Sequence, residues 1–320
     1  MHMKEILLTN TAKDILFNPV SQGANHLCIL TDNAAPSMVS WLLKSYEDQE
    51  ITGITIDLII RNIMKDGVDE LSHKSFIKLH SSRYLNHFSC SYIHEKISSK
   101  ENLYIWLNGE MPIVSFLCHF DFTQTSFIQE EQTAFEISNT TSSLKCYEDA
   151  IDHSIYCNHA ELEEYILIRS TEVPSINKTS NSSGLCVSLP LITKRTGEPG
   201  KKSGLNWGQR KNRNKNEAYI PLPRKIARSG FFPLNEQHFL VLTDDHHTLQ
   251  LRVEQEGDKA ITTPASNALL GEYFRNRLGL ANGAYVHSED LLKYGRTDVT
   301  FYKFDEEQYY MDFSSNWEGD

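Results

Sequence analysis

The 320-residue chain has no run of 18 apolar residues, and its first residues carry no basic, apolar and small-residue leader. The first absence argues against a membrane-spanning helix, and the second leaves export without support. CxxC spacing is missing as well: Cys28, Cys90, Cys118, Cys146, Cys157 and Cys186 are widely scattered. They read as reduced, mostly buried thiols of a cytoplasmic protein. Asn-x-Ser/Thr triplets at Asn139, Asn177 and Asn181 would matter only after secretion. No repeat recurs at solenoid or propeller spacing.

Metal-binding patterns are sparse too. Glu110, Glu130 and Glu131 invite a metal-nuclease reading, but no Asp followed by Glu-x-Lys lies in strand context. His73, His80, His87 and His94 recur every seven residues, yet Ser81-Ser82 breaks any continuous helix that would align them. Asp244-Asp245-His246-His247 reads as a solvated hairpin turn, because adjacent residues at a tip point different ways. The expectation is therefore no metal and no small-molecule cofactor.

What is present is an uneven charge. Residues 194–228 hold 11 Lys/Arg against 2 Asp/Glu, a local +9, so the remainder must carry −20 to reach the net −11. Such a patch on an anionic protein suits capture of a phosphate backbone and discourages indiscriminate sticking. Within it, Lys201-Lys202-Ser203-Gly204-Leu205-Asn206-Trp207-Gly208-Gln209-Arg210 leads into Lys211, Arg213 and Lys215. Glycines and an indole fit a loop that approaches a groove closely, so nucleic acid is the expected partner.

The length suits two domains. Residues 26–31 and 54–60 are short β-branched runs flanking a helical pattern with Met38, Trp41, Leu42 and Tyr46 on one face. This predicts an α/β first domain with a largely parallel sheet. A helix is expected over 70–79, and strands within 103–107 and 113–117. Residues 173–184 are polar and turn-prone and read as a linker. Beyond it, strand patterns at 239–243 and 248–253 flank the Asp244-Asp245 turn, and one helix spans about 269–278, predicting a mostly β barrel.

The string KSGLNWGQR followed by NEAYIPLP resembles the C-terminal domain of the NgoFVII-type restriction endonucleases. The likeness continues through Val241 to Asp245, Lys259 to Thr263, Leu270 to Leu280, Tyr294 to Val299 and Met311 to Ser314. That family's domain is similar to the plant B-three-type DNA-binding pseudobarrel, which sets two loop arms in the major groove and reads a short GC-rich site. The resemblance implies that Asn206, Trp207, Gln209, Arg210, Lys211 and Arg213 on one arm, with Asn267, Arg275 and Arg277 near the other, contact double-stranded DNA. Arginine suits guanine because its forked donors match two major-groove acceptors.

The first 172 residues resemble the phospholipase-D-like nuclease domain of the same enzymes. Tyr92-Ile93-His94-Glu95-Lys96 supplies a His-x-Lys pair that strand alternation would put on one face. Residues 103–107, 116–124, 155–159 and 163–166 continue the likeness. In this chemistry one imidazole attacks the phosphorus to give a phosphohistidine, an imidazolium protonates the leaving oxygen, and lysines stabilise the equatorial oxygens. One chain has one such pair, so the resemblance implies a homodimer through the nuclease domain with His94 and Lys96 of both copies in a shared site. Asp121 is the expected pocket residue and Glu131 the downstream polar group that orients the site. The chain departs from the pattern in six added residues at 97–102 and in Cys118-His119-Phe120-Asp121, where the family has Gly-Ser-x-Asn. A non-catalytic DNA-binding protein is the alternative. A lipid-acting phospholipase is disfavoured by the DNA-type second domain and the missing interfacial amphipathic segment.

Overall fold

A computed structural model describes residues 3–81, 84–97, 99–128, 132–137, 139–170 and 186–315. The chain divides into two compact units, Met1–Glu172 and Val173–Asp320. The expected linker at 173–184 and the candidate Glu131 lie outside the described residues. Among those residues no helix is long and apolar enough to cross a membrane.

The first unit is built on eight strands: β1 (Met3–Leu8), β2 (His26–Thr31), β3 (Thr55–Ile60), β4 (Phe88–Ile93), β5 (Asn102–Asn108), β6 (Met111–Cys118), β7 (Gln132–Ile137) and β8 (Ser154–Tyr156), in the order β1-β7-β6-β5-β2-β3-β4-β8. The central strands read as near-continuous apolar runs because both faces are covered. On one side pack α1 (Pro36–Asp48) and α2 (Glu70–Ser81), with Met38, Leu42 and Tyr46 buried at helical spacing and Pro36 opening the first turn. On the other side α3 (Thr140–Asp152) covers Leu30, Ile59 and Ile105. Asn139, half of a glycosylation triplet in the sequence, is the cap of α3, its side chain accepting from Ser142 N.

The sheet is less parallel than expected. Only β2, β3 and β4 run parallel, whereas β5 and β6 form a hairpin whose tight turn uses Gly109 at φ +61°. The expected His-x-Lys strand also stops short: β4 ends at Ile93, so His94 and Lys96 stand in the loop that leaves it. By register, the ends of β2, β3, β4 and β6 and the start of β5 all lie on one edge of the sheet.

The second unit is a seven-stranded sheet of β9 (Cys186–Pro190), β10 (Ile220–Pro221), β11 (His238–Thr243), β12 (Thr248–Glu254), β13 (Ala260–Thr262), β14 (Asp298–Lys303) and β15 (Gln308–Asp312), ordered β9-β14-β15-β11-β12-β13-β10. The two end strands β9 and β10 approach each other, so the sheet nearly closes into a barrel around Phe232, Phe239, Phe301 and Tyr309. All pairings are antiparallel except β11 with β15. Helix α4 (Asn267–Arg277) packs against the kinked 3-10 segment Gly204–Gln209, and α5 (Ser288–Tyr294) follows it.

The close approach of the chain at Asn216 to α4 explains Gly271. A Cβ built there would fall on the carbonyl oxygen of Asn216, a backbone atom that cannot step aside cheaply. Gly271→Ala is expected to destabilise the second unit by about 1–3 kcal/mol through overpacking. A melting temperature equal to wild type in thermal denaturation would mean that the helix and this loop do not touch.

Candidate functional site

The polar edge of the first unit is organised by residues immediately beyond the ends of buried strands. Arg61, one residue past β3 and only 7% exposed, donates from Nε to Asp32 Oδ1 (3.0 Å), from Nη1 to the Glu101 carbonyl (2.6 Å), and from Nη2 to the Lys100 carbonyl (3.0 Å) and Asn102 Oδ1 (2.8 Å). Asn102 accepts in addition from Asp32 N (2.8 Å) and donates to the Phe120 carbonyl (3.0 Å) and Asp121 Oδ1 (3.1 Å). A buried guanidinium needs these partners, since removing it from water without them is costly. The result ties the ends of β2, β3 and β6 to the loop that follows Lys96. Asn102, counted from sequence within the added segment 97–102, is the first residue of β5.

Asp121 is occupied. Its Oδ2 accepts from Asn33 Nδ2 (2.9 Å), and its Oδ1 from Asn102 Nδ2 and from Asn33 N (3.3 Å). These donors meet the repulsion that a bare carboxylate would exert on a phosphodiester. His94 is half-buried, with its backbone N–H on the His153 carbonyl (3.1 Å) and its ring 5.0 Å from that of Tyr165, which comes from the 163–166 segment. Lys96 is exposed. His119 is exposed and packs edge-on to Phe135. The end of β4, where His94 sits, is two strands from the end of β2, where Asp121 docks, about 10 Å at ordinary strand spacing. One chain therefore brings the expected groups to one edge without placing them in direct contact. Arg61, Asp32, Asn33 and Asn102 were missed from sequence. The available signal was the change from apolar strand to polar residue at the carboxyl ends of parallel strands, where α/β sheets carry their sites.

The other histidines of the seven-residue series are structural. His73 is buried beside the Tyr92 hydroxyl (3.2 Å), and burial lowers its pKa below the ordinary value. His80 Nδ1 accepts from Cys90 N, and His87 Nδ1 meets the Ile54 carbonyl.

In the second unit the structure revises several DNA-contact assignments. Arg275 is fully buried and donates to the carbonyls of Ala284 (2.8 Å), Gly271 (3.1 Å), Leu205 (3.2 Å) and Asn216 (3.4 Å), so it holds the arm in place and does not face DNA. Arg277, with 14% of its side chain exposed, is clamped by Asp244, Asp245, the hydroxyls of Tyr273 and Tyr294 and the Phe313 carbonyl. The Asp244-Asp245 turn is thus a carboxylate clamp and not merely solvated. Asn206 is buried too, bridging Val286 N and O at 2.8 Å each. Trp207 is 8% exposed, with the Arg213 guanidinium 4.0 Å over its ring and Tyr219 at its edge. Asn206, Trp207 and Arg275 build the arm from within, and Arg277 ties α4 to the Asp244-Asp245 turn and to Phe313. Sequence could not separate them from readers because a buried guanidinium and a reaching one look alike as letters.

The remaining assignments have access to solvent. Arg210 and Lys211 are exposed; Gln209, Arg213 and Asn267 are half-buried, Gln209 donating to the Gly283 carbonyl (3.0 Å) and Arg213 pairing with Glu217. Apart from Arg213, every Lys and Arg between 194 and 228 is exposed, so the positive patch inferred from composition is a surface.

A layered α/β unit with polar groups at one sheet edge and a barrel carrying an exposed basic arm are the features of a class of proteins that act on nucleic acid. Residues 9–164 match the model of the NgoFVII restriction endonuclease N-terminal PLD domain, and residues 180–305 that of the NgoFVII C-terminal B3-like DNA-binding domain. The chain belongs to the NgoFVII family of restriction endonucleases. Among solved structures it is similar to the polyphosphate kinase of Porphyromonas gingivalis, at 13% identity and a TM-score of 0.32 over 49% of this chain and 26% of that one. It is also similar to NucT from Helicobacter pylori, at 14% identity and a TM-score of 0.31 over 48% of this chain and 99% of that one. The match thus spans about a quarter of the polyphosphate kinase. No curated protein sequence matches the chain.

Two outcomes follow for the second unit. Arg275→Ala is expected to lower stability by roughly 3 kcal/mol or more, since it strands buried carbonyls, whereas Lys211→Ala leaves the melting temperature unchanged and weakens DNA binding. Equal melting temperatures would contradict the buried assignment.

Burial works to raise Asp312, but donors from Ser314 and Arg296 hold its pKa below the ordinary 3.8. Asp245 is held low in the same way by Thr243 and Arg277. A carboxylate depressed on folding stabilises fully above its unfolded value and ceases to do so as pH falls through its folded one. The melting temperature should therefore hold down to about pH 4 as far as these two groups are concerned and fall below it, and Arg296→Met should make that fall shallower. An acid limb of unchanged steepness in the variant would contradict the role given to Arg296.

Proposed function

We propose that this protein is a type II restriction endonuclease that cuts double-stranded DNA at a short GC-rich site, as a homodimer, by a metal-independent phosphohistidine mechanism. The observation that carries this reading is the meeting of His94, the loop bearing Lys96 and a donor-satisfied Asp121 at one sheet edge, in a chain whose second unit exposes a basic arm. His94 of one copy would attack phosphorus and His94 of the other protonate the leaving oxygen, with both Lys96 ammonium groups on the equatorial oxygens. Asp121, with its lone pairs engaged, orients Asn33 and Asn102 at the same edge. Arg210, Lys211, Gln209, Arg213 and Asn267 are the DNA contacts this reading retains. A DNA-binding protein without cleavage is the second reading, favoured by the Cys118-His119-Phe120-Asp121 departure.

Digestion of unmethylated plasmid with EDTA present separates the two. Discrete fragments are expected from the wild type. His94→Ala should cut at least about 100-fold more slowly, the scale of one acid–base or nucleophilic contribution, with DNA binding nearly intact. Excess His94→Ala protein mixed with wild type should suppress cleavage, because mixed dimers hold an incomplete site. Cutting that stops with chelator and returns with magnesium would sink the metal-independent mechanism, and a monomer that still cuts by light scattering would remove the shared site.

A further inference from the structure

A second cluster of reactive side chains lies well away from the Asp121 edge. His26 and Cys28 alternate onto the same face of β2, the face covered by α3, and the parallel register sets Asp57 of β3 directly beside Cys28. His26 Nε2 lies 2.7 Å from Asp57 Oδ2 and 3.6 Å from Cys28 Sγ, and the three donor atoms all fall within 4.8 Å of one another. Among the described residues this is the one group of His, Cys, Asp and Glu side chains so arranged.

The geometry separates two uses of such a trio. In a nucleophile–base–orienter relay the thiol and the carboxylate engage opposite nitrogens of the imidazole. Here both converge on the same nitrogen, Nε2. Three potential ligand atoms gathered within 4.8 Å of one another suit a cation site. A dication placed among the three atoms would stabilise thiolate and carboxylate together.

The surroundings hold the donors in position. Ser89 Oγ donates to the other Asp57 oxygen at 2.5 Å, and the Tyr147 hydroxyl of α3 donates to the Asp57 carbonyl at 3.0 Å. Cys28 is buried, whereas 28% of the His26 side chain and 40% of the Asp57 side chain remain exposed, which leaves a side open for water. Mixed sulfur, nitrogen and oxygen donors, three from the protein with one position left to solvent, favour zinc over magnesium or calcium.

We propose that His26, Cys28 and Asp57 bind a zinc ion that clamps β2 to β3 at the end of the sheet away from His94. Along β4, His94 lies five residues beyond Ser89, so the site is about 15 Å from the edge where cleavage is placed. The ion would stabilise the fold and take no part in bond breaking.

Cobalt(II) is the probe, titrated into metal-free full-length protein carrying Cys186→Ser, which removes the exposed thiol. Saturation at one equivalent is expected, with a thiolate-to-metal charge-transfer band, visible bands of four-coordinate intensity, and loss of both on adding zinc. Cys28→Ser should abolish the charge-transfer band. Asp57→Asn, which keeps an acceptor for Ser89 and offers its amide N–H to His26 Nε2 but removes the charged oxygen ligand, should weaken cobalt binding at least about tenfold, and zinc should raise the melting temperature of the parent but not of either variant. No charge-transfer band in the Cys186→Ser protein, or a band that survives Cys28→Ser, would overturn the proposal. Neither readout involves DNA, so the outcome is independent of whether the protein cuts.

Discussion

A single buried guanidinium fixes the working edge of the first unit. Arg61 reaches from the end of β3 to Asp32 beyond β2, to Asn102 at the start of β5, and to two carbonyls of the loop that leaves His94 and Lys96. Parallel strands give no reason for their trailing loops to meet, because the ends of β2, β3 and β4 lead to different elements. The cost of leaving a charge without water supplies the reason: only one arrangement of those loops presents all the acceptors Arg61 requires. Asp121 is held through the same Asn102, so the carboxylate and the loop after the His-x-Lys pair are coupled without touching.

The second unit solves its own loop problem with the same chemistry. Arg275 gathers carbonyls from the arm, the helix and the following turn, and Arg277 gathers two aspartates, two phenols and a carbonyl. Loops that run over a barrel lack ladder partners for their backbone groups, and a guanidinium supplies five donors in a fixed fork. The arm can then expose Arg210 and Lys211 while its base stays rigid. Cations are thus divided by depth: Arg275 of α4, which holds the arm, is buried, and Arg210 and Lys211 of the arm itself lie outside.

This division marks what was legible in the sequence. The strands at 26–31 and 55–60, the helix carrying Met38, Leu42 and Tyr46, and the hairpin around Asp244 were readable because periodicity reports burial on a face. The positive patch was readable because charge sums over a segment. The roles of Arg275, Arg277 and Asn206 were not, since whether a side chain turns inward depends on carbonyls up to 80 residues away in sequence. The Arg61 network was hidden for the same reason: Asp32, Arg61 and Asn102 lie at the ends of three separate strands. The His26, Cys28 and Asp57 cluster depends on register, and a shift of one residue in β3 would have turned Asp57 to the opposite face.

The sheet of the first unit thus has polar chemistry at two places with opposite electrostatic demands. At the trailing edge, the carboxylates of Asp32 and Asp121 are matched by fixed donors and a guanidinium, while the His94 ring packs on Tyr165 and Lys96 is exposed. On the α3 face, a thiol, an imidazole and a carboxylate crowd one point with Ser89 and Tyr147 holding the carboxylate residue in place, a concentration of lone pairs that a dication relieves. A dication at the trailing edge would compete with Arg61 and Asn102 for Asp32 and Asp121 and loosen the loop after Lys96. Keeping the two sites about 15 Å apart along the strands lets a structural cation rigidify β2 and β3 without disturbing the hydrogen bonds that set the geometry around His94.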